Sequence, residues 1–252
     1  MKAPALSIII PAYQEAGRIG RSLDELAAYL NEQHDTDTEV LVVVADSPDG
    51  TARLTQDKAT LFRHFRMIAA GPKIGKGYQV RMGMMEAVGA YKLFMDADLA
   101  TPLHHIEQVR ALAKEKVEVI VATRDLTSSH RGLRKLVSSL GNRLVRAVLL
   151  PGISDSQCGF KAFSASAADA LFRRQTIMGW GFDMEILAIA RMLKYRIVII
   201  PAPDWQDHPE GTIGDNITSA AFETLGELAV ILGRKWTGRY RHPNFTYMAP
   251  KS

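Results

Sequence analysis

The sequence predicts an α/β fold built on a mostly parallel sheet. Short β-branched runs alternate with amphipathic stretches at helical spacing. Several of those runs are apolar on both faces, as strands covered on both sides are. The segments that follow them gather Gly, Pro and Asp, where sheets of this kind bind ligands.

The elements follow in order. "LSIII" (6–10) is a first strand ending at Pro11, and "RIGRSLDELAAYLNEQ" is a helix with Ile19, Leu23, Leu26, Ala27 and Leu30 on one face. "VLVVVA" (40–45), "RMIAA" (66–70), "YKLFM" (91–95) and "VEVIVA" (117–122) are further strands. Helices fit between them, one carrying Val80, Met84, Ala87 and Val88, another Leu103, Ile106, Val109 and Leu112. Thr101 is the expected N-cap of the latter, with Pro102 at its first position. Beyond it the pattern gives a helix near 134–149, the loop "PGISDSQCGFKAF", a helix over 182–194 and a strand "RIVII" (196–200). The Pro- and Gly-bearing loop 201–216 closes the compact unit, so residues 1–215 are expected to form one domain. Residues 216–252 add an amphipathic helix (about 217–236), with Phe222, Leu225, Leu228, Ala229, Leu232 and Trp236 near one face, and a loosely held tail after Tyr240. That helix either packs on the core or lies in a membrane interface, given Arg234, Lys235, Arg239 and Arg241 beside its apolar face.

A chain of 252 residues with 47% hydrophobic and 23% charged residues can bury one sizeable core. Its net charge of +4 suits an anionic small molecule or an anionic membrane surface and falls short of a nucleic-acid-binding signature. The single cysteine, Cys158, excludes an internal disulfide and points to a reducing, cytoplasmic setting; it reads as a small buried hydrophobe. "MKAPALSIIIPAYQ" is too short an apolar run for a signal peptide, and no stretch reaches the roughly 18 apolar residues of a membrane span.

Within "FMDADLATP" (94–102), Asp96 and Asp98 point the same way if the segment is extended. Either water screens these carboxylates or a cation sits between them. Hard oxygen ligands completed by substrate phosphates are how Mg²⁺ or Mn²⁺ is usually held; an acidic turn is the alternative. Other strand ends carry "PAYQE" (11–15), "ADSPDGT" (45–51), "GPKIGKG" (71–77) and "ATRD" (122–125), each a plausible turn by itself. Arg124, Arg131 and Arg134 form a basic group, and Arg134 and Ser138 lie four apart on one helical face. Asp155 and Lys161 are candidates for an internal ion pair. Asp183 could cap or begin a helix, with Glu185 two residues on. The seven histidines show no metal-ligand spacing, and His104 and His105 read as surface residues.

The ordered series "SIIIPAYQE", "SPDGT", "GKG", "DADLATP", "ATRD", "DSQCGFKAF" and "GWGFDMEIL" resembles the family 2 inverting glycosyltransferases, over roughly residues 6–215. It looks most like their polyprenyl- or dolichyl-phosphate hexosyltransferase branch. The resemblance implies a GT-A fold, a single Rossmann-like domain. It implies a nucleotide-sugar pocket lined by Pro11, Ala12, Tyr13 and Glu15, with Asp46, Lys76 and Asp96 nearby. Asp98 would be the principal ligand of Mg²⁺ or Mn²⁺, with Asp96 touching the metal or the ribose. Arg124, Arg134 and Ser138 would grip the acceptor phosphate. Val44 and Ala45 stand where relatives carry an acidic pair, which leaves the donor base open. Ala100 stands where mannosyl-transferring members often place a polar residue, tilting the expectation towards a UDP-glucose type of donor.

The function expected is hexose transfer from a nucleotide diphosphate sugar to a polyprenyl phosphate, at a peripheral membrane contact on the cytoplasmic face. Asp98 and Arg124 carry the chemistry. A soluble hydroxyl acceptor would instead need a base, and Asp183 is the candidate. A sugar-phosphate nucleotidyltransferase lacks support because "PAYQEAGRIG" has no glycine-rich loop with an arginine of the required kind. A nucleotide-sugar-binding protein without turnover is the non-enzymatic alternative.

Overall fold

The computed structural model describes residues 3–124, 149–153, 155–206 and 217–243. Seven strands make one sheet: β1 (Leu6–Ala12), β2 (Thr38–Ala45), β3 (Phe65–Gly71), β4 (Tyr91–Met95), β5 (Val119–Arg124), β6 (Phe160–Ser164) and β7 (Ile197–Ala202). Their spatial order is β3-β2-β1-β4-β6-β5-β7. The first four run parallel, as do β5 and β7, and β6 lies antiparallel between the two groups. The helices are α1 (Ile19–Glu32), α2 (Thr51–Asp57), α3 (Lys76–Glu86), α4 (His105–Lys114), α5 (Ala165–Phe172), α6 (Phe182–Met192) and α7 (Ile217–Trp236).

The alternation of side chains along each strand divides the core into two layers. On one face Ile9, Leu41 and Val43 meet Val80 and Met84 of α3, Leu171 of α5, Ile186 and Ile189 of α6, and Leu228 and Ile231 of α7. On the other, Ile8, Ile10, Val40 and Val42 meet Ile19, Leu23 and Leu26 of α1 and Ile106 and Val109 of α4. Each fully buried aliphatic side chain contributes about 1.5–3 kcal/mol. Both faces of the sheet are covered, as the doubly apolar "VLVVVA" run requires. Gln79 crosses from α3 to donate to the carbonyls of Ala12 (2.8 Å) and Val43 (2.9 Å), fixing the ends of β1 and β2 side by side.

Several expectations are corrected. α4 begins at His105, not Pro102, and its N-cap is His104, not Thr101. Thr101 turns inward to Cys158 (3.7 Å), and Pro102 and Leu103 instead form a tight turn in which their carbonyls accept from the amides of His105 and Ile106. "FKAFS" is a strand rather than loop, and α5 follows it at once, with the Ser164 hydroxyl accepting from Ala167 N at 3.2 Å as N-cap. Asp155 and Lys161 do not pair. Arg124 takes Asp155, and Lys161 takes Asp183, which stands in the first turn of α6 but does not cap it. His105 is buried, not on the surface. In α7 the buried positions include Leu228 and Ile231, whereas Ala229 is exposed and Trp236 is 89% exposed. Tyr240 is fully buried, and its hydroxyl donates to Glu185 at 2.8 Å, so the chain is anchored as far as that residue. The expected helix near 134–149 lies outside the described residues apart from Leu149, and so do Arg131, Arg134 and Ser138. Phe222 and Leu225 belong to the part of α7 whose side chains are not described.

Candidate active site at the strand ends

The loops after β1, β2, β3, β4 and β5 open on the same edge of the sheet, because parallel strands all deliver their carboxyl ends there. β6 runs the other way and brings its leading loop, 155–159, to that edge. The fit is close at Gly159. Its carbonyl accepts from Asp96 N at 3.1 Å, and a Cβ there would lie 1.9 Å from Asp96 Oδ2. Only glycine lets the loop press on that carboxylate.

Asp96 pairs with Lys76 at 2.6 Å. Burial works against the Lys76 charge, but Asp96, Asp183 and Asp98 outweigh it and hold the ammonium above the ordinary lysine range. Lys76 also lies 5.1 Å from the ring centre of Trp180, a cation–π arrangement. The helix start that carries Lys76 is pressed against the Trp180 loop. A Cβ on Gly77 would meet Phe182 Cβ at 2.7 Å and the Gly179 carbonyl oxygen at 2.9 Å, so the "GKG" glycine is sterically required.

Asp98 accepts from Ala100 N at 3.1 Å through Oδ1. Its Oδ2 is 4.0 Å from Arg18, a loose contact, and the side chain is 23% exposed. Arg18 is held closer by Glu15, at 2.5 Å. Desolvation pushes the Glu15 carboxyl above its usual range, Arg18 pulls the other way, and Asp98 and Asp96 add to the rise. Three carboxylates and two cations thus meet at one strand-end edge. That is a donor set suited to a hard divalent cation and to the phosphates of a nucleotide. With one backbone bond and a 4.0 Å contact to Arg18, Asp98 is the least committed of the three acids.

The loop after β1 is tied to the loop after β2. Ser47 Oγ accepts from Gln14 N at 3.1 Å, Thr51 Oγ1 from Glu15 N at 2.9 Å, and Asp49 Oδ2 from Ala16 N at 3.0 Å. Asp49 also accepts from the Ser47 hydroxyl and from Thr51 Oγ1. Burial pushes its carboxyl up, but these bonds together outweigh that and hold it far below the usual range. "SPDGT" is therefore more than a turn: it is the clamp that shapes the Tyr13–Gly17 segment. Tyr13 faces Lys73, whose Nζ is 4.2 Å from the ring centre. Pro11 and Ala12 are buried at the end of β1, Asp46 is exposed with its amide on Gly71 O at 2.8 Å, and Val44 and Ala45 are buried in β2.

Across β6 sits a second constellation. Arg124 grips Asp155 through two bonds, Nε to Oδ2 at 2.6 Å and Nη2 to Oδ1 at 3.1 Å, and its guanidinium lies 4.9 Å from the ring centre of Trp205. Burial alone would raise Asp155, but Arg124 and Lys161 overcome it and hold its carboxyl low. Lys161 donates to Asp183 Oδ1 and to the Cys158 carbonyl, each at 2.6 Å. Burial pushes Asp183 up, with Lys161 and Lys76 opposing. Glu185 is wholly buried and serves the scaffold, accepting from the amides of Thr176 and Ile177, both at 2.8 Å, and from Tyr240. A cavity of about 420 Å³ is lined by residues of the 176–180 segment and of α7, Trp180 and Val230 among them.

The structure thus gathers Asp96, Asp98, Glu15 and Lys76 at one strand-end edge, with Arg124 across β6 and Asp183 close to both Lys161 and Lys76. Reading the sequence missed Arg18, Asp49, Gly159 and the true partner of Lys161. The i, i+3 spacing of Glu15 and Arg18 was the one local signal for the first; the others depend on tertiary contacts.

The burial of Cys158 has a direct chemical consequence. Desolvation, against the pull of Lys161, pushes its thiol up to about 11 from 9.0. At pH 8 its thiolate fraction is then about 100-fold lower than that of an ordinary thiol, and the thiolate is the reactive form. Iodoacetamide at pH 8 should leave the native chain unlabelled and label it rapidly in urea; labelling of the native chain at the urea rate would show that the loop before β6 is open.

An α/β sheet of this order, with an acidic pair after β4, defines the class of mostly parallel, doubly covered sheets that bind ligands at their strand ends. Known proteins place the chain within it. The model of Glycosyl transferase family 2 matches residues 7–172, and the chain belongs to that family. A dolichyl-phosphate beta-glucosyltransferase of Trichomonas vaginalis is 31% identical over 216 residues, covering 80% of this chain and 66% of the relative. The chain thus spans just under two thirds of that relative's length. Among solved structures, mannosyl-3-phosphoglycerate synthase from Rubrobacter xylanophilus superposes with a TM-score of 0.70 at 17% identity, over 96% of this chain and 77% of that one. Glucosyl-3-phosphoglycerate synthase from Mycobacterium tuberculosis, solved with Mn²⁺, UDP and phosphoglyceric acid, gives 0.65 at 18% identity, over 91% and 79%. These structures share the GT-A fold expected from the sequence. Among the described residues no helix is long and apolar enough to cross a membrane.

Proposed function

We propose that the protein transfers a hexose, with glucose favoured, from a nucleotide diphosphate sugar of the UDP type to a polyprenyl phosphate, with inversion at the anomeric carbon. The observation that carries this reading is the meeting of Asp96, Asp98 and Glu15 with Lys76 and Arg18 at the strand ends, opposite Arg124 across β6. The dolichyl-phosphate glucosyltransferase relative supports the acceptor and the sugar. The UDP and Mn²⁺ of the solved neighbour support the donor and the ion.

The donor set fits Mg²⁺ or Mn²⁺, with Asp98 and Asp96 as the protein ligands. When bound, such an ion offsets charge on a departing diphosphate. The chain's own residues do the rest. Pro11, Ala12, Tyr13 and Glu15 form the nucleoside wall, held in shape by Ser47, Asp49 and Thr51. Asp46 lies at the neighbouring strand end. Lys76 stands by Asp96 to meet the donor's phosphates or ribose. Arg124, braced by Asp155 and Trp205, presents a guanidinium pre-oriented for a phosphate, and Arg134 and Ser138 complete that grip in this reading. A phosphate acceptor is already ionised at neutral pH and needs no base. This agrees with an Asp183 spent on Lys161. Positioning and charge complementarity then supply most of the barrier reduction. Exposed Trp236 and Val230 beside Arg234 and Lys235 give α7 the mixed apolar and basic surface of a peripheral membrane contact.

The test is direct. Incubation with UDP-[¹⁴C]glucose, Mn²⁺ and a polyprenyl phosphate should move label into the organic phase, and polyprenol should not replace the phosphate. Label appearing only on soluble hydroxyl acceptors would transfer the assignment to the base-catalysed alternative with Asp183.

A further inference from the structure

His104 and His105 open α4, and Asp204 follows β7 ninety-nine residues later. The fold brings them together. His105 Nε2 lies 2.8 Å from Asp204 Oδ1, and His104 Nε2 lies 3.2 Å from Asp204 Oδ2. One ligand atom from each residue falls within 4.8 Å of the others. None of the three belongs to the Asp96–Asp98 site.

The packing around His105 holds it in place. Its ring is buried, and Nδ1 lies 3.2 Å from Gln108 Oε1 one turn along α4. Nε2 faces Asp204 Oδ1 at 2.8 Å, a hydrogen-bond distance, so the ring is already aimed at the carboxylate. A metal ion would enter by taking the place of the bridging proton. A histidine whose far nitrogen is fixed by an outer partner, with its lone pair aimed at further ligands, is the usual arrangement at a metal. Two imidazoles and one carboxylate suit Zn²⁺ and similar ions, for which bonds of about 2.0–2.2 Å in a tetrahedron separate ligand atoms by about 3.3 Å. The two contacts at Asp204, 2.8 and 3.2 Å, fall up to about 0.5 Å short of that value, so the ligands part slightly on binding. His104 and Asp204 are 59% and 41% exposed, so a fourth position is open to water.

We propose that His104, His105 and Asp204 bind one divalent transition-metal ion of the zinc class, through nitrogen and carboxylate ligands, with Gln108 orienting His105. The site is a tie between two loops. Asp204 is followed by Trp205, which stacks on Arg124, and by Gln206, whose amide donates to Ala100 O at 2.9 Å. His104 and His105 end the segment that begins at Asp98. The ion fastens the loop after β7 to the loop after the acidic pair, and so holds Trp205 over Arg124. The inference stands on this cluster alone and does not depend on the sugar-transfer reading.

Cobalt(II) chloride is the probe, titrated into the chelator-stripped full chain. One equivalent should produce the visible absorption of a low-symmetry nitrogen–oxygen site, and zinc chloride should displace it. Asp98→Asn should keep the band. His104→Ala, a substitution at an exposed position that leaves the fold intact, should weaken cobalt binding at least tenfold, as should Asp204→Asn. A featureless titration, or a band unchanged in both His104→Ala and Asp204→Asn, would overturn the proposal. A band lost in Asp98→Asn but kept in His104→Ala would do so as well, by placing the ion at the acidic pair.

Discussion

Asp98→Ala is expected to lower sugar transfer by about 10³-fold or more while leaving the fold intact. The size follows from losing the least committed carboxylate of the proposed metal and diphosphate site, where electrostatic groups are typically worth 10²–10³ or more in rate. The intact fold follows from what Asp98 does locally. It is partly exposed, it accepts one backbone bond from Ala100, and its contact with Arg18 is at 4.0 Å. Truncating such a side chain changes stability by about 1 kcal/mol or less. Turnover with UDP-glucose and Mn²⁺, measured beside a thermal melt, separates the two effects. Activity within tenfold of the wild type would remove Asp98 from the donor site.

Asp183→Ala is expected to act in the opposite way, with a large loss of stability. Lys161 and Asp183 are almost wholly buried, their 2.6 Å contact lies in the core, and Phe94 is 5.1 Å from the lysine ammonium. Removing one charge of a buried pair strands the other and costs about 3–5 kcal/mol. That is a large part of the roughly 5–15 kcal/mol available to a domain. A midpoint fall of about 6 °C or more in thermal denaturation should result. The double variant Lys161→Met, Asp183→Leu, which removes both charges, should recover most of it. Sugar transfer per folded molecule should fall much less in Asp183→Ala than in Asp98→Ala. Equal losses would instead give Asp183 the role of base and support a hydroxyl acceptor.

Much of the sheet was legible because its strands are doubly buried and carry continuous apolar runs. "YKLFM" marks β4 to the residue, and Asp96 and Asp98 fall at its carboxyl end as the pattern requires. β6 was hidden by its own function. Lys161 stands second in "FKAFS" and breaks the apolar reading, yet it is buried because Asp183 neutralises it from α6. The same non-local pairing misassigned Asp155: two opposite charges six residues apart suggested each other, and each had a better partner elsewhere in the fold. The start of α4 was misplaced because "TP" is a good helix opening locally, but Thr101 is drawn inward to Cys158. His105 read as a surface residue for a related reason. Its partner Asp204 is ninety-nine residues away, and no local spacing announces it.

The reversed strand β6 couples what lies on either side of it. Gly159 abuts Asp96 just before it, Lys161 reaches Asp183 from within it, and Asp155 braces Arg124 just upstream. The residues assigned to donor and to acceptor thus hang from one short ribbon. If the proposed donor and acceptor sites hold, a shift of that ribbon by a fraction of an ångström would reach both substrates together, a mechanical route for matching the arrival of one to the posture of the other.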